Sequence, residues 1–313
     1  MEKRKDLTII GSGPAGLTAA IYAARAGLDC VVLDGMLSGG RLVQTIAVEN
    51  YPGFAEPVSG MDLMAAMRAQ AERAGASFEM DEVQSVDFGG TDKVLHCTMG
   101  DVAAKAVIVA TGASVKWTGL PGEKEYRNKG VSVCATCDGS FFRGAEVAVI
   151  GGGDTALGDA LYLAGVARKV TIVHRRSGFR GTKLLQDRVR AASNISLALD
   201  TTVSSFNGDG SKLRSLTIVR RLPDGSSEES SLRVDGAFVA IGHEPQTAFL
   251  AGSLELDAAG YVKTGPGGTN TSEPGVFAAG DCADPRYRQA VVAAGAGAAA
   301  AMDAISWLRE KST

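Results

Sequence analysis

The order strand, glycine-rich turn, helix, strand occurs twice in this chain of 313 residues. In the first unit an apolar strand at 7–10 leads into the turn Gly-Ser-Gly-Pro-Ala-Gly at 11–16. In the second unit a strand at 146–150 leads into Gly-Gly-Gly-Asp-Thr-Ala at 151–156. Glycines in such turns allow a tight bend, close approach of a pyrophosphate to the backbone, and close helix–strand packing. The repeat therefore predicts two Rossmann-like dinucleotide-binding units.

The two units differ at the residue that ends their second strand. In the first unit this residue is Asp34, whose carboxylate can accept hydrogen bonds from a ribose and would repel a 2′-phosphate. The equivalent residue of the second unit is His174, which begins a basic cluster with Arg175, Arg176 and Arg180. Guanidinium groups bind phosphate through charge-assisted hydrogen bonds of roughly 1.5–3 kcal/mol each. We therefore expect a nucleotide without a 2′-phosphate in the first unit, and NADPH in preference to NADH in the second.

Two cysteines separated by two residues, Cys134 and Cys137, stand just before the second unit, with Asp138 beside the second sulfur. Such a pair can close a disulfide and reopen as a dithiol, and the carboxyl group can supply a proton. Alone, the pair is compatible with a redox, zinc or structural disulfide role. No second ligand pair stands at zinc spacing, so no metal site is predicted, and the neighbouring nucleotide units favour a redox centre.

Composition and charge limit the class of protein. The net charge is −3 and no Lys/Arg run could follow a phosphate backbone, so we expect no nucleic-acid partner. The sequence suggests neither a signal-peptide hydrophobic region nor an apolar span of 18 residues, so we expect no membrane segment and a cytoplasmic location. The other cysteines, Cys30, Cys97 and Cys282, are expected to be buried and inert or packed.

Further strands define the domain organisation. Short alternating stretches over 77–105 predict a small antiparallel sheet, and 106–110 and 236–241 read as buried strands. A last strand at 275–279 and a small-residue helix from 291 to about 308 must return to the first unit to complete its sheet. The predicted fold is α/β, with two Rossmann-like, three-layer ββα nucleotide-binding domains. The second, 117–245, is inserted into the first, 1–116 and 246–313.

Taken in order, the motifs resemble those of the low-molecular-weight thioredoxin reductases over essentially the whole chain. They are Gly-Ser-Gly-Pro-Ala-Gly, Ala-Thr-Gly, Cys-Ala-Thr-Cys-Asp-Gly, Gly-Gly-Gly-Asp-Thr-Ala, His-Arg-Arg, Ala-Ile-Gly-His and Ala-Ala-Gly-Asp. The resemblance implies an NADPH-dependent thioredoxin-disulfide reductase with FAD in the first unit, NADPH in the second, a homodimer, and thioredoxin or a thioredoxin-like protein as partner. The chain differs from the family pattern at Gly158, Asp159, Ser177 and Gly181, where Glu, Glu, Asp and Ala are common.

The same resemblance implies roles for the redox pair. Cys137 would receive electrons from the flavin, Asp138 would protonate the outgoing thiolate, and Cys134 would attack the disulfide of the partner. In the family the second domain rotates about two connecting segments, here 114–120 and 242–247.

The resemblance also implies a set of cofactor contacts. For FAD these are Gly11, Ser12, Gly13, Pro14, Ala15, Gly16, Asp34, Gly39, Gly40, Arg41, Leu42, Asn50, Val83, Ala110, Thr111, Gly112, Asp281, Arg288, Gln289 and Ala290. For NADPH they are Gly151, Gly153, Asp154, Thr155, His174, Arg175, Arg176, Arg180, Ile241 and Gly242.

The residues alone leave three other functions to consider. A flavoprotein reductase for another thioredoxin-like or peroxiredoxin-system partner would share the redox pair. An NADPH–ferredoxin reductase of the same build would lack it. A redox sensor or zinc protein that is not an enzyme would use the cysteines without a flavin. A visible flavin spectrum and metal analysis separate the last class from the others.

Overall fold

The structure is a computed structural model that describes residues 4–35 and 38–311. Residues 1–3, 36–37 and 312–313 lie outside the described set, and with them the start of the chain on which the expectation about a signal peptide depends. The chain divides into two compact units, unit 1 with residues 1–114 and 244–313, and unit 2 with residues 115–243. The expected α/β architecture, with one Rossmann-like unit inserted into the other, is confirmed. The chain passes between the units at 114/115 and 243/244, in each case two residues before the expected domain borders at 116/117 and 245/246.

Unit 1 is built on a seven-stranded sheet. Its strands in spatial order are β3 (Ser77–Glu79), β2 (Cys30–Leu33), β1 (Lys5–Ile10), β6 (Gly100–Val109), β5 (Lys93–Cys97) and β4 (Val83–Asp87), with β17 (Val276–Ala278) also paired to β6. The pairs β1–β2, β2–β3, β1–β6 and β6–β17 are parallel. Its helices are α1 (Pro14–Arg25), α2 (Gly60–Ala74) and α6 (Ala290–Lys311).

The expectation of a small antiparallel sheet over 77–105 is correct for β4, β5 and the first half of β6, which pair antiparallel, but these strands are not separate from the main sheet and β3 does not belong with them. Strand β3 pairs in parallel with β2, and β4 and β5 extend the main sheet through β6. Strand β6 carries two patterns in one element: its first half is exposed and pairs with β5, and its second half is buried between β1 and β17. The sequence suggested two strands because the alternation typical of a half-exposed strand changes to a continuous apolar run within one strand.

Helix α6 also corrects the sequence analysis, which expected no apolar span of 18 residues. The helix has 22 residues and contains an 18-residue window with a mean hydropathy of 1.5, enough by length and composition to cross a membrane. In the structure its small residues, among them Ala293, Ala300 and Ala304, belong to the hydrophobic core of unit 1 together with residues of α1. An added Cβ on Gly297 would lie 2.0 Å from the carbonyl oxygen of Ala15. One face of the helix therefore packs in the core of unit 1, and its glycine allows two backbones to meet.

Unit 2 contains two sheets. The first is parallel, in the order β11 (Ile195–Ala198), β10 (Lys169–Val173), β9 (Glu146–Ile150), β15 (Gly236–Val239) and β8 (Val131–Ser132). The second is antiparallel, with β12 (Thr201–Gly208), β13 (Leu213–Arg221) and β14 (Ser227–Arg233). Its helices are α3 (Ala135–Asp138), α4 (Asp154–Ala164) and α5 (Lys183–Ala191). The chain crosses between the units in β7 (Ala113–Val115) and β16 (His243–Pro245).

Two glycines of α6 give a matched test of this packing. We expect Gly297→Ala to destabilise the protein by about 1–3 kcal/mol, because the new methyl group overlaps the Ala15 backbone. Gly295→Ala is the control, since no atom lies within 4 Å of its Cβ position and alanine favours a helix. Denaturant unfolding of both variants checks this, and equal midpoints would contradict the close approach of α1 and α6.

Candidate functional site

The first glycine turn joins β1 to α1. Two of its glycines are required by the protein's own packing. Gly11 has φ +104°, and an added Cβ on Gly16 would lie 1.8 Å from the carbonyl oxygen of Gly11. Gly13 is different, because its φ is −67° and no atom lies within 4 Å of its Cβ position. No side chain caps α1, so its first N–H groups are available to an anion. A glycine in open space beside a helix N-terminus fits a pyrophosphate.

The second turn, between β9 and α4, repeats this arrangement. An added Cβ on Gly151 would lie 2.4 Å from the carbonyl oxygen of Ala240, and one on Gly152 would lie 2.3 Å from the ring of His174. Gly153 has open space at its Cβ position, and no side chain caps α4. Each unit therefore contains a turn in which two glycines serve the fold and another leaves room for a ligand.

Arg68 of α2, which the sequence analysis missed, pairs with the predicted residue Asp34 just after β2. Asp34 is buried, accepts a hydrogen bond from Ser38 Oγ at 3.1 Å, and forms an ion pair with Arg68 of α2. The Arg68 guanidinium also lies over the ring of Phe78, 4.1 Å from its centroid. Arg68 thus balances the charge of the residue expected to bind a ribose. Only the tertiary packing of α2 brings it there, so no local sequence signal indicated it.

The segment after β2 also brings predicted residues together. Gly39 N–H donates to Ser12 Oγ at 2.9 Å, and Gly40 packs against the Gly13 backbone. Leu42 belongs to the 3₁₀ helix Gly40–Gln44 that follows. The loop at 38–40 therefore lies against the first glycine turn.

A partly exposed charge cluster lies near the end of β17 in unit 1. Burial raises the pKa of Asp281, and the nearby Arg41 and Arg288 lower it. Burial lowers the pKa of Arg41, Asp281 raises it and Arg288 lowers it. Tyr261, which the sequence analysis did not select, forms a side-chain hydrogen bond with Arg288. Arg288 itself has φ +48°, an uncommon backbone conformation for a residue with a side chain. Unit 1 thus collects two guanidinium groups and one carboxyl group where the strand ends.

The other residues expected near FAD are more scattered. Asn50 Nδ2 donates to Gln289 Oε1 at 3.2 Å, and Ala290 begins α6. Val83 lies at the start of β4, an edge strand of the sheet, and is buried among apolar residues. Its buried cluster also contains Ile10 of β1 and Leu33 of β2, the residues that immediately precede Gly11 and Asp34.

The cysteine pair lies between β8 and the 3₁₀ turn that follows α3. Cys134 and Cys137 form a disulfide, in which Cys134 is half-buried and Cys137 exposed. Asp138 ends α3 and accepts a hydrogen bond from Ser132 Oγ at 2.5 Å. Burial raises the pKa of Asp138, and the hydrogen bond from Ser132 lowers it. The arrangement places an acid that holds its proton to higher pH directly beside a redox-active disulfide.

The basic cluster of unit 2 divides into a buried and an exposed part. His174 is buried, and its Nε2 lies 3.1 Å from the carbonyl oxygen of Gly178. Burial lowers the pKa of His174, and the charges of Arg176 and Arg180 lower it further. Its ring supports the second glycine turn, whereas Arg175, Arg176 and Arg180 are exposed. The three arginines are free to face a ligand that binds the turn.

Main-chain hydrogen bonds hold the arginine loop against the turn. Arg180 N–H donates to Gly152 O at 2.8 Å, and Thr182 N–H donates to Asp154 Oδ1 at 2.7 Å. Gly181 fits because an added Cβ would lie 2.6 Å from the Leu157 side chain. An alanine at Gly181, where the family pattern commonly has one, would require the Leu157 side chain to shift.

The remaining cysteines are structural. Cys30 is buried and its pKa is raised to about 11 by burial. Cys282 is buried with Sγ 3.4 Å from the Val109 carbonyl oxygen. Cys97 is only partly buried, so the expectation of full burial is wrong, and burial raises its pKa to about 12. Within residues 4–35 and 38–311 no cluster of three or more potential metal ligands is found.

Comparisons with known proteins give one consistent result. The family model of the pyridine nucleotide-disulphide oxidoreductases matches residues 5–297. A thioredoxin reductase of Mycolicibacterium smegmatis is 48% identical over 308 residues, covering 98% of this chain and 97% of the relative. A bifunctional thioredoxin reductase/thioredoxin of Mycobacterium leprae is 48% identical over 310 residues, 97% of this chain and 66% of the relative.

Solved structures agree with the sequence relatives. Thioredoxin reductase from Giardia duodenalis has a TM-score of 0.93 and 41% identity, with 98% of this chain and 100% of that chain covered. The thioredoxin reductase of Streptococcus pyogenes has a TM-score of 0.91 and 37% identity, with 99% and 100% covered.

Gly13 provides a test of the first nucleotide site. We expect Gly13→Ala to leave the stability of the flavin-free protein unchanged to within about 1 kcal/mol, because its methyl group meets no protein atom. The same variant should bind FAD at least roughly tenfold more weakly, since the methyl group occupies the space for a pyrophosphate. Fluorescence titration with FAD measures this. Gly16→Ala is the comparison that should fail to fold normally, and unchanged FAD affinity of Gly13→Ala would refute the assignment.

Proposed function

Because the chain belongs to the pyridine nucleotide-disulphide oxidoreductases, and within them to the thioredoxin reductases, we propose that it reduces the disulfide of thioredoxin with electrons from NADPH. The observation that carries this proposal is the Cys134–Cys137 disulfide with the partly buried Asp138 beside it. One relative is named as a thioredoxin reductase joined to a thioredoxin, which supports thioredoxin as the partner. Another thioredoxin-like protein, including one of a peroxiredoxin system, is the alternative partner.

Family membership implies FAD and NADPH as cofactors. We assign FAD to unit 1, where the Gly13 turn would hold the pyrophosphate and Asp34 the ribose, and where Arg41, Asp281 and Arg288 would contact the remainder. When bound, FAD accepts a hydride from NADPH and supplies two electrons to a disulfide. The residues of unit 1 fit this group because their glycine turn is open and uncapped and their polar groups are collected at strand ends.

We assign NADPH to unit 2. The Gly153 turn would receive its pyrophosphate, and Arg175, Arg176 and Arg180 would bind the 2′-phosphate. Their exposure and the hydrogen bond between Arg180 N–H and Gly152 support this, because the loop is anchored to the turn while the side chains remain accessible. The neutral His174 would orient the turn without adding charge.

The redox pair would transfer the electrons in two exchange steps. Reduction of the Cys134–Cys137 disulfide takes two electrons and two protons, and Asp138 would donate one proton to the outgoing thiolate. Cys134 would then attack the partner disulfide, releasing one partner thiolate and forming a mixed disulfide. Attack of Cys137 on Cys134 would release the second thiolate and restore the disulfide. Each partner thiolate takes up one proton, so the cycle is balanced.

We further propose that the protein acts as a homodimer in the cytoplasm. Exposed apolar side chains on helices of unit 1, among them Tyr22, Val291 and Met302, support a contact between copies. Light scattering of the flavin-loaded protein would report the state.

Serine variants of the two cysteines test the proposal. With Cys134→Ser or Cys137→Ser we expect NADPH to reduce the flavin normally, while thioredoxin turnover falls to background because no exchangeable disulfide remains. Stopped-flow flavin absorbance and a thioredoxin assay measure the two steps, with Cys97→Ser as the control of unchanged activity. Thioredoxin turnover retained in either variant would exclude the relay.

The arginines predict the choice of coenzyme. We expect Arg175→Ala with Arg176→Ala to raise the KM for NADPH at least roughly tenfold and to change the KM for NADH little, because only NADPH has the 2′-phosphate. Steady-state kinetics with both coenzymes measure this. Arg190→Ala, an exposed arginine at the end of α5, is the matched control. An equal loss for NADPH and NADH would contradict the assignment.

Asp138 predicts a pH dependence. As a proton donor it must be protonated, so turnover should fall as the pH rises through its folded-state pKa, which burial raises above the ordinary value. We expect Asp138→Asn to lower kcat by roughly 100-fold and to remove this alkaline limb, because the amide cannot give up a proton. A pH–rate profile of both proteins measures the effect, and a limb that persists in Asp138→Asn belongs to another group.

A further inference from the structure

We propose that Ser132 is a positioning residue that fixes the carboxyl group of Asp138 for proton transfer to the cysteine pair, an inference that rests on the proposed role of Asp138. Ser132 was not selected by the sequence analysis. It lies outside the Cys-x-x-Cys-Asp segment, and its contribution is visible only in the folded chain.

Two hydrogen bonds connect Ser132 to the redox turn, and a third lies within the turn. Ser132 Oγ donates to Asp138 Oδ2 at 2.5 Å, and the N–H of Cys134 donates to Ser132 Oγ at 3.1 Å. The N–H of Asp138 in turn donates to the carbonyl oxygen of Cys134 at 3.1 Å. The serine hydroxyl therefore joins the backbone of the first cysteine to the carboxyl group next to the second.

The hydroxyl is held by the sheet. Ser132 is 8% exposed and belongs to β8, where it is the register partner of Phe238 in β15. Helix α3 has only four residues, too few to be stable on its own. A side chain at its end would be poorly fixed by the helix alone. The bond to Ser132 attaches Asp138 to a strand of the central sheet instead.

Ser132 also opposes the effect of burial on Asp138. Burial raises the pKa of Asp138, and the hydrogen bond from Ser132 lowers it. Helix α4, which packs against α3, carries Asp154, Asp159 and Tyr162, and the turn after α3 is followed by Arg143. Among the described residues, none of these charged groups is a cause of the shift.

A serine hydroxyl can serve both protonation states of the carboxyl group. It donates to the ionised carboxylate, and its oxygen can accept from the protonated acid after the hydroxyl hydrogen rotates. Ser132 can therefore keep Asp138 in one place before and after the proton leaves. Without the hydroxyl, a buried carboxylate loses a donor, which penalises the charged form.

The test compares Ser132→Ala, Ser132→Gly and Ser132→Thr in the flavin-loaded protein. Ser132→Ala and Ser132→Gly both remove the hydroxyl, so one can replace the other if either does not fold. Ser132→Thr retains the hydroxyl. Ser140→Ala is the control, an exposed serine in the turn after Asp138. The Asp138 carboxyl is titrated by NMR with ¹³C-labelled aspartate, its signal assigned from Asp138→Asn, and the pH–rate profile for thioredoxin is recorded alongside.

We expect the Asp138 titration and the alkaline limb to move together to higher pH in Ser132→Ala and Ser132→Gly, with turnover falling roughly tenfold. Ser132→Thr should restore both, and Ser140→Ala should match the parent. An unmoved Asp138 titration in Ser132→Ala overturns the proposal, even if turnover falls, because that loss would be structural. The NMR titration does not depend on catalytic activity, so it tests the role of Ser132 by itself. The proposed role of Asp138 as proton donor would fail separately, if the Asp138→Asn variant had normal kinetics.

Discussion

In both units, glycines stand where the backbone passes so close to another segment that a side chain would not fit. An added Cβ on Gly16 would lie 1.8 Å from the Gly11 carbonyl oxygen, and one on Gly297 would lie 2.0 Å from that of Ala15. These contacts bring the turn, α1 and α6 together in unit 1. In unit 2, Gly151 packs in the same way against the Ala240 carbonyl oxygen, and Gly152 packs against the ring of His174. Each turn is thereby rigid while its remaining glycine faces open space, which is what a nucleotide site requires.

A second feature of the structure is the pairing of three acids, of which Asp34 is buried and Asp138 and Asp281 are partly buried. Asp34 is balanced by Arg68, Asp281 by Arg41 and Arg288, and Asp138 only by a serine hydroxyl. A guanidinium favours the ionised carboxylate, whereas a hydroxyl opposes burial more weakly. Asp138, which has a hydroxyl as its hydrogen-bond donor and a pKa raised by burial, is suited to carry a proton.

Local patterns were sufficient for much of the architecture. The glycine turns, the difference between Asp34 and His174, and the cysteine pair are visible because each depends on residues close together in the chain. Arg68, Tyr261 and Ser132 were missed because they reach their partners through helix packing or strand register. Strand β6 and helix α6 were misjudged for another reason: one changes its exposure midway, and the other is apolar because it is rich in small residues.

The central claim is that electrons from NADPH leave through one cysteine pair. The most direct measurement is anaerobic reduction of the flavin-loaded protein with NADPH, followed by rapid alkylation and peptide mass spectrometry. The account predicts that Cys134 and Cys137 become alkylated only after reduction, while the buried Cys30 and Cys282 remain unmodified before and after it. Full reduction of the flavin without new alkylation at Cys134 and Cys137 would contradict it.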